Sequence, residues 1–193
     1  MKRKFTKIIG LVGLPAAGKT TVAKYLEKKG YVRITLSDFI KKEAEKQGVK
    51  EYTRDVLQDY GNKMRGEFGP QVLAQLALKM LRTNGYIKVG IDGIRNLYEV
   101  AFLKVENNFT LIGITARPRI RYKRLTDRPN RPWGGSFSDF LRHEHREENL
   151  GSKEIGLRVR ECFKKADYII ENNKTIEELQ HAVEDVLLLK KKS

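Results

Sequence analysis

Eight residues near the start of the chain, G-L-P-A-A-G-K-T from Gly13 to Thr20, restrict the fold more than any other stretch. They fit G-x-x-x-x-G-K-[ST], a spacing in which successive backbone N–H groups wrap a phosphate while a lysine and a hydroxyl stand at the mouth. Such a loop requires a strand before it and a helix after it. Both flanks comply: Lys7–Val12 is a short apolar strand, and Lys19–Gly30 reads as a helix with Val22, Ala23, Tyr25 and Leu26 inward and Gly30 as its stop. The same region also has the outline of an export signal, with Lys2, Arg3 and Lys4 ahead of an apolar run and Ala16-Ala17-Gly18 behind it. That apolar core, Ile8 to Leu14, is short, and Gly10, Gly13 and Pro15 break up the stretch, so the phosphate loop is the preferred reading. It makes Gly13, Ala16, Ala17, Gly18, Lys19, Thr20 and Thr21 the cradle of a bound ATP. Lys19 then reaches the β- and γ-phosphates, and the Thr20 hydroxyl ligates Mg²⁺.

The remaining chain alternates strand and helix candidates. Strands are expected at Tyr31–Ser37, Tyr86–Asp92, Phe109–Ala116 and Ala166–Asn172. A helix starts at Asp38, helical spacing recurs through Asp55–Met64, and Leu73, Leu76, Ala77, Met80 and Leu81 form an apolar stripe ended by Asn84-Gly85. Thr175 opens the closing helix, with Glu178 completing a capping box. With 193 residues and no linker or repeat, residues 1–193 form one α/β domain: a five-stranded, mostly parallel sheet with helices on both faces. The single cysteine, Cys162, leaves no internal disulfide, has helical neighbours and reads as structural; it fits a reducing, cytoplasmic setting. No apolar run approaches a membrane span, so no membrane partner is expected. The net charge of +15 favours polyanions, whether nucleotides, nucleic acid or acidic surfaces.

In open parallel sheets ligands bind beyond the carboxyl ends of the strands. Those ends carry Lys19, Ser37-Asp38, Asp92-Gly93-Ile94-Arg95 and Arg117. Asp92 is placed to hold Mg²⁺ through water, and Asp38 to act on an acceptor as a base or positioning group; aspartate is also a common helix cap or strand-end turn residue. Seven cations from Arg117 to Arg131 crowd the stretch after the fourth strand. If Pro118–Asp127 is helical, Arg117, Arg121, Arg124 and Arg128 share a face and suit a lid over phosphates. The bland alternative is a solvated basic helix or a strip touching nucleic acid. The glycines of Arg65–Pro70 either punctuate a loop or let the backbone approach a substrate whose phosphate Arg65 binds.

These motifs resemble the P-loop kinases of the nucleoside monophosphate kinase and dephospho-CoA kinase group. Similarity is greatest to a branch found largely in archaea and described as adenylate-kinase-like or dephospho-CoA-kinase-like. Its marks are Gly13–Thr20, "SDFIK" at Ser37–Lys41, "DGIRN" at Asp92–Asn96, "RLTDR" at Arg124–Arg128, "HEHRE" at His143–Glu147 and "ADYIIEN" before Thr175. The resemblance implies a P-loop fold with an acceptor-binding insert at about 38–70 and an arginine-rich lid at about 117–150. It places Asp38 and Arg95 in the acceptor site, Arg124 and Arg128 on the phosphates, and the backbone near Asn172 beside the adenine. Adenylate kinases carry arginine where Lys41 stands and F-P-R after the D-G pair; the D-x-P-L-L of bacterial dephospho-CoA kinases is absent at Asp92, and arginine is typical where His143 stands.

The expectation is therefore an ATP- and Mg²⁺-dependent kinase with catalytic Lys19, Asp38, Arg95, Arg124 and Arg128, metal-holding Thr20 and Asp92, and a nucleotide-like small-molecule acceptor. The alternatives are a nucleic-acid-associated NTPase or RNA-end kinase, favoured by the charge, and a non-catalytic nucleotide sensor. His143, Glu144, His145 and Glu147 lack the H-E-x-x-H zinc spacing, and a hydrated helix is the preferred reading there. Arg142 and Arg146 are expected to face the lid or the phosphates. Trp133 either stacks on a base or anchors the lid.

Overall fold

A computed structural model describes residues 7–129, 133–148 and 156–189, the side chains of 54, 143 and 146–148 excepted. The elements run β1 (Lys7–Val12), α1 (Lys19–Lys28), β2 (Val32–Thr35), α2 (Leu36–Lys46), α3 (Arg54–Phe68), α4 (Val72–Thr83) and β3 (Lys88–Asp92). They continue through α5 (Leu97–Lys104), β4 (Phe109–Thr115), α6 (Pro118–Thr126), α7 (Phe137–Glu148), α8 (Val159–Phe163), β5 (Tyr168–Glu171) and α9 (Ile176–Leu189). All five strands are parallel, in the order β2-β3-β1-β4-β5.

β1 is central, and its alternate residues divide between two cores. Ile8 and Val12 join the cluster built with α2, α4 and α5, while Ile9 and Leu11 join the cluster with α1 and α9. This two-sided burial explains why the strand reads as a continuous apolar run. At the carboxyl edge β1 and β4 nearly touch: a Cβ on Gly13 (φ +154°) would lie 2.1 Å from the carbonyl oxygen of Ile114. Among the described residues, no helix is long and apolar enough to cross a membrane.

Two differences from the sequence reading stand out. α2 begins at Leu36, two residues before Asp38, because β2 stops at Thr35 as soon as its pairing with Asp92 is made. α5 had no expected counterpart, although Asn96 and Glu99 form a complete capping box at its start. The Thr175–Glu178 box forms as expected, Thr175 Oγ1 accepting from the Glu178 amide at 3.2 Å.

Gly13→Ala must displace backbone, so a loss of about 1–3 kcal/mol is expected. Gly66→Ala, in α3 with open space around it, should be neutral or stabilising by up to about 1 kcal/mol. Urea midpoints at constant slope measure both.

Candidate functional site

The carboxyl ends of β1, β2 and β3 open onto a cavity of about 920 Å³. One wall is the phosphate loop. Gly13, Ala16, Gly18, Lys19, Thr20 and Thr21 all line it. Ala17 is fully buried beneath and serves the site through its main chain. The loop holds backbone strain where an anion would sit, with Ala16 in the left-handed region at φ 57°. Gly18 (φ +115°) leaves room for Asn172, whose Nδ2 donates to the Ala17 carbonyl at 2.8 Å; a Cβ at Gly18 would stand 2.2 Å from that nitrogen. No side chain caps α1, so its first N–H groups are open to an anion. Lys19 Nζ donates to the Gly13 and Leu14 carbonyls at 2.7 and 3.0 Å, lying across the loop it serves.

α6 meets the loop through Arg124. Its Nη2 donates to the carbonyl and Oδ1 of Asn172, and its Nη1 to the Ala16 carbonyl at 3.4 Å. Burial lowers its pKa from the ordinary guanidinium value, which leaves it charged. Arg128 is exposed, lines the cavity and has no side-chain partner among the described residues. Arg121 departs from the expected phosphate-facing row. It is buried, its Nη2 donates to Glu144 at 2.9 Å, and its Nη1 is also bonded to that carboxylate, which fastens α7 to α6. Trp133 lines the cavity and packs edge-on against Phe140 at 6.2 Å. Arg142 is a correction: it is exposed and paired with Asp139, on the outside of α7. Arg131 and the side chains of His143, Arg146 and Glu147 lie outside the described residues.

The rest of the lining includes Ser37, Lys41, Asp92 and Arg95. Arg95 is half-buried, and its guanidinium has no partner among the described residues. Its main chain is fixed by Glu99, which is fully buried and accepts from the Arg95 and Asn96 amides at 3.0 and 3.1 Å. Asp38 is not brought into the cavity; it is exposed and accepts from Lys41 at 2.9 Å. Asp92 is 6% exposed, and one of its carboxylate oxygens accepts from Arg33 Nη2 at 2.7 Å. Arg65 borders the cavity, yet its Nε and Nη2 both donate to Glu99, at 3.1 and 2.8 Å. Its role is thus to hold the Arg95 turn rather than to present a free cation.

A family model described as an AAA domain matches residues 9–139. A UPF0200 protein of Pyrobaculum aerophilum is 36% identical over 183 residues, covering 94% of this chain and 97% of that protein. Another, of Pyrococcus horikoshii, is 34% identical over 187 residues, covering 93% and 95%. The chain belongs to the UPF0200 family. Among solved structures it is similar to TT1252 from Thermus thermophilus (TM-score 0.65, 21% identity, 96% and 98% covered). It is similar also to the shikimate kinase of Acinetobacter baumannii (TM-score 0.56, 18% identity, 98% and 97% covered). At those identities the likeness is one of fold. Together these establish a P-loop kinase-like domain with archaeal homologues, a coarser statement than the nucleoside monophosphate kinase or dephospho-CoA kinase group that the motifs resemble.

Three residues that shape the UPF0200 site carried no functional reading of their own in the sequence, Arg33, Asn96 and Glu99, and Glu144 entered only with the histidines beside it. Arg33 and Glu99 had signals, a cation in the middle of an apolar strand and an N-x-x-E cap. Glu99→Gln leaves the buried Arg65 guanidinium without a counter-charge, and a loss of about 3–5 kcal/mol is expected. The urea midpoint reads it.

Proposed function

We propose that this UPF0200 protein is an ATP- and Mg²⁺-dependent phosphotransferase that moves the γ-phosphoryl group to a nucleoside monophosphate or a related small molecule such as dephospho-CoA. The observation that carries the reading is that the phosphate loop and a second cationic wall, with Lys41 and Arg95, share one cavity. Its volume is near the upper end for small-ligand sites, room for donor and acceptor side by side.

The donor side fits the expected group. Gly13 and Gly18 stand where a Cβ would collide, and the uncapped start of α1 offers N–H groups to phosphate. The Thr20 hydroxyl and the Asp92 oxygen not engaged by Arg33 are the donors that would hold the metal. Bound Mg²⁺ supplies charge neutralisation on the phosphoryl oxygens. Lys19 would exchange the Gly13 and Leu14 carbonyls for phosphate oxygens, and Arg124 and Arg128 would draw the lid onto them, excluding water. Asn172, Ile176 and Leu179 border the side on which the base would rest. Across the cavity Arg95 and Lys41 would bind the acceptor, with Asp38 steadying Lys41 and with Ile40, Leu57 and Leu73 offering apolar surface.

The test is ATP consumption by the purified chain against ribo- and deoxynucleoside monophosphates, dephospho-CoA and short RNA, with Lys19→Met beside it. One small acceptor should raise turnover, and Lys19→Met should remove at least about 100-fold of it. Stimulation by RNA alone, falling steeply with salt, would favour the nucleic-acid reading. Stimulation by nothing would leave the loop as a nucleotide sensor.

A further inference from the structure

We propose that Arg33 is the specificity residue for the acceptor, selecting a molecule that already carries a phosphate monoester. The inference rests on the acceptor site described above and narrows its substrate class.

Arg33 occupies the second position of β2, opposite Gly90 of β3 in register, and its guanidinium lies along the cavity floor beside Asp92. β2 is an edge strand, so a charge here was not forced by pairing. The side chain is 26% exposed, but its Nε is buried with no hydrogen-bond partner among the described residues. Asp92 holds one edge of the fork through Nη2, which fixes the plane of the group and leaves Nη1, unpartnered among the described residues and not shut off from solvent, for a ligand in the cavity. Arg95 follows three residues after Asp92, and its guanidinium is likewise without a partner. Lys41, the next cation on this wall, is compensated by Asp38.

Two guanidiniums with spare donors therefore flank the acceptor position, and Asp92 already balances part of one. That excess suits a phosphate monoester, which accepts bidentate pairs from more than one arginine. A neutral polyol or nucleoside would leave the donors unpaired. Arg33 is thus a binding residue whose bond to Asp92 fixes the plane of its guanidinium.

The experiment is calorimetric titration of the full chain with AMP, GMP, CMP and UMP and with the four corresponding nucleosides, in the presence of Mg²⁺ and a non-hydrolysable ATP analogue. Wild type, Arg33→Gln and Arg33→Lys are compared, each first titrated with the analogue alone. Wild type should bind at least one monophosphate at least about tenfold more tightly than its nucleoside. Arg33→Gln should abolish that preference while leaving the nucleoside and analogue affinities within about twofold. Arg33→Lys, which keeps a positive charge against Asp92 and safeguards the fold, should recover only part of it.

A merely structural Arg33 would lower the affinity for monophosphate, nucleoside and analogue together, and that result overturns the proposal. So does a monophosphate preference unchanged in both variants. If no monophosphate binds wild type and none is turned over, the acceptor-site reading falls with it. If turnover of a monophosphate stands while Arg33→Gln leaves its KM unchanged, the kinase reading survives and the role of Arg33 alone is lost.

Discussion

One carboxylate, that of Glu99, organises the half of the molecule around the end of β3. It is fully buried, and one of its oxygens takes two donors from Arg65 while the other takes the Arg95 and Asn96 amides. A charge in that position is tolerable only because its lone pairs are filled by a cation and by backbone dipoles. The consequence is mechanical. α3, which supplies Arg65, is fixed to the turn after β3, and Asn96 extends the link by donating to the Gly156 carbonyl at 3.0 Å. The turn that carries Arg95 is therefore set by two distant segments, α3 and the stretch at 156–158, together with the start of α5.

The half around the phosphate loop has an equivalent in Asn172. Its side chain donates to Ala17 and accepts from Arg124, so the end of β5, the phosphate loop and α6 meet at one amide. The loop needs such support, since Ala16 sits in a conformation that costs an L-residue about 1–2 kcal/mol. The two hubs stand on opposite sides of β1, which sits between β3 and β4. The parallel order alone places the loop, the Asp92 turn and the β5 end at one edge, where their polar groups converge.

Much of this was legible in the sequence, and what was not has a physical reason. The phosphate loop and the five strands follow from local patterns: glycine spacing, apolar runs and punctuation. α5 was missed because its apolar residues carry no clear stripe, yet its N-x-x-E cap is the same device that revealed α9 at Thr175. Arg33 was hidden in "YVRITLS" because an apolar run was read as uniform, when a cation inside it was the informative residue. Asp38 shows the reverse error. Its motif setting suggested an acceptor contact, but α2 begins at Leu36 and turns that side chain outward, to Lys41.

The arginines of α6 show where one-dimensional reading ends. Arg121 and Arg124 are one turn apart on the same helix, and each is within reach of the phosphate loop, Arg121 Nη1 lying 3.5 Å from the Pro15 carbonyl. What separates them is Glu144, which sits 23 residues along the chain from Arg121 and is brought to it only when α7 folds back. That carboxylate neutralises Arg121, and the Phe140 ring covers the guanidinium at 5.4 Å, so its charge is already used. Arg124 meets only carbonyl oxygens and an amide, dipoles that orient it without cancelling its charge. A cation left uncancelled over a phosphate loop can move onto an arriving anion, whereas one neutralised by a buried carboxylate stays as a strut. The same helix thus holds one arginine as a strut and leaves another uncancelled beside the phosphate loop, and the placement of a single acidic residue decides which is which.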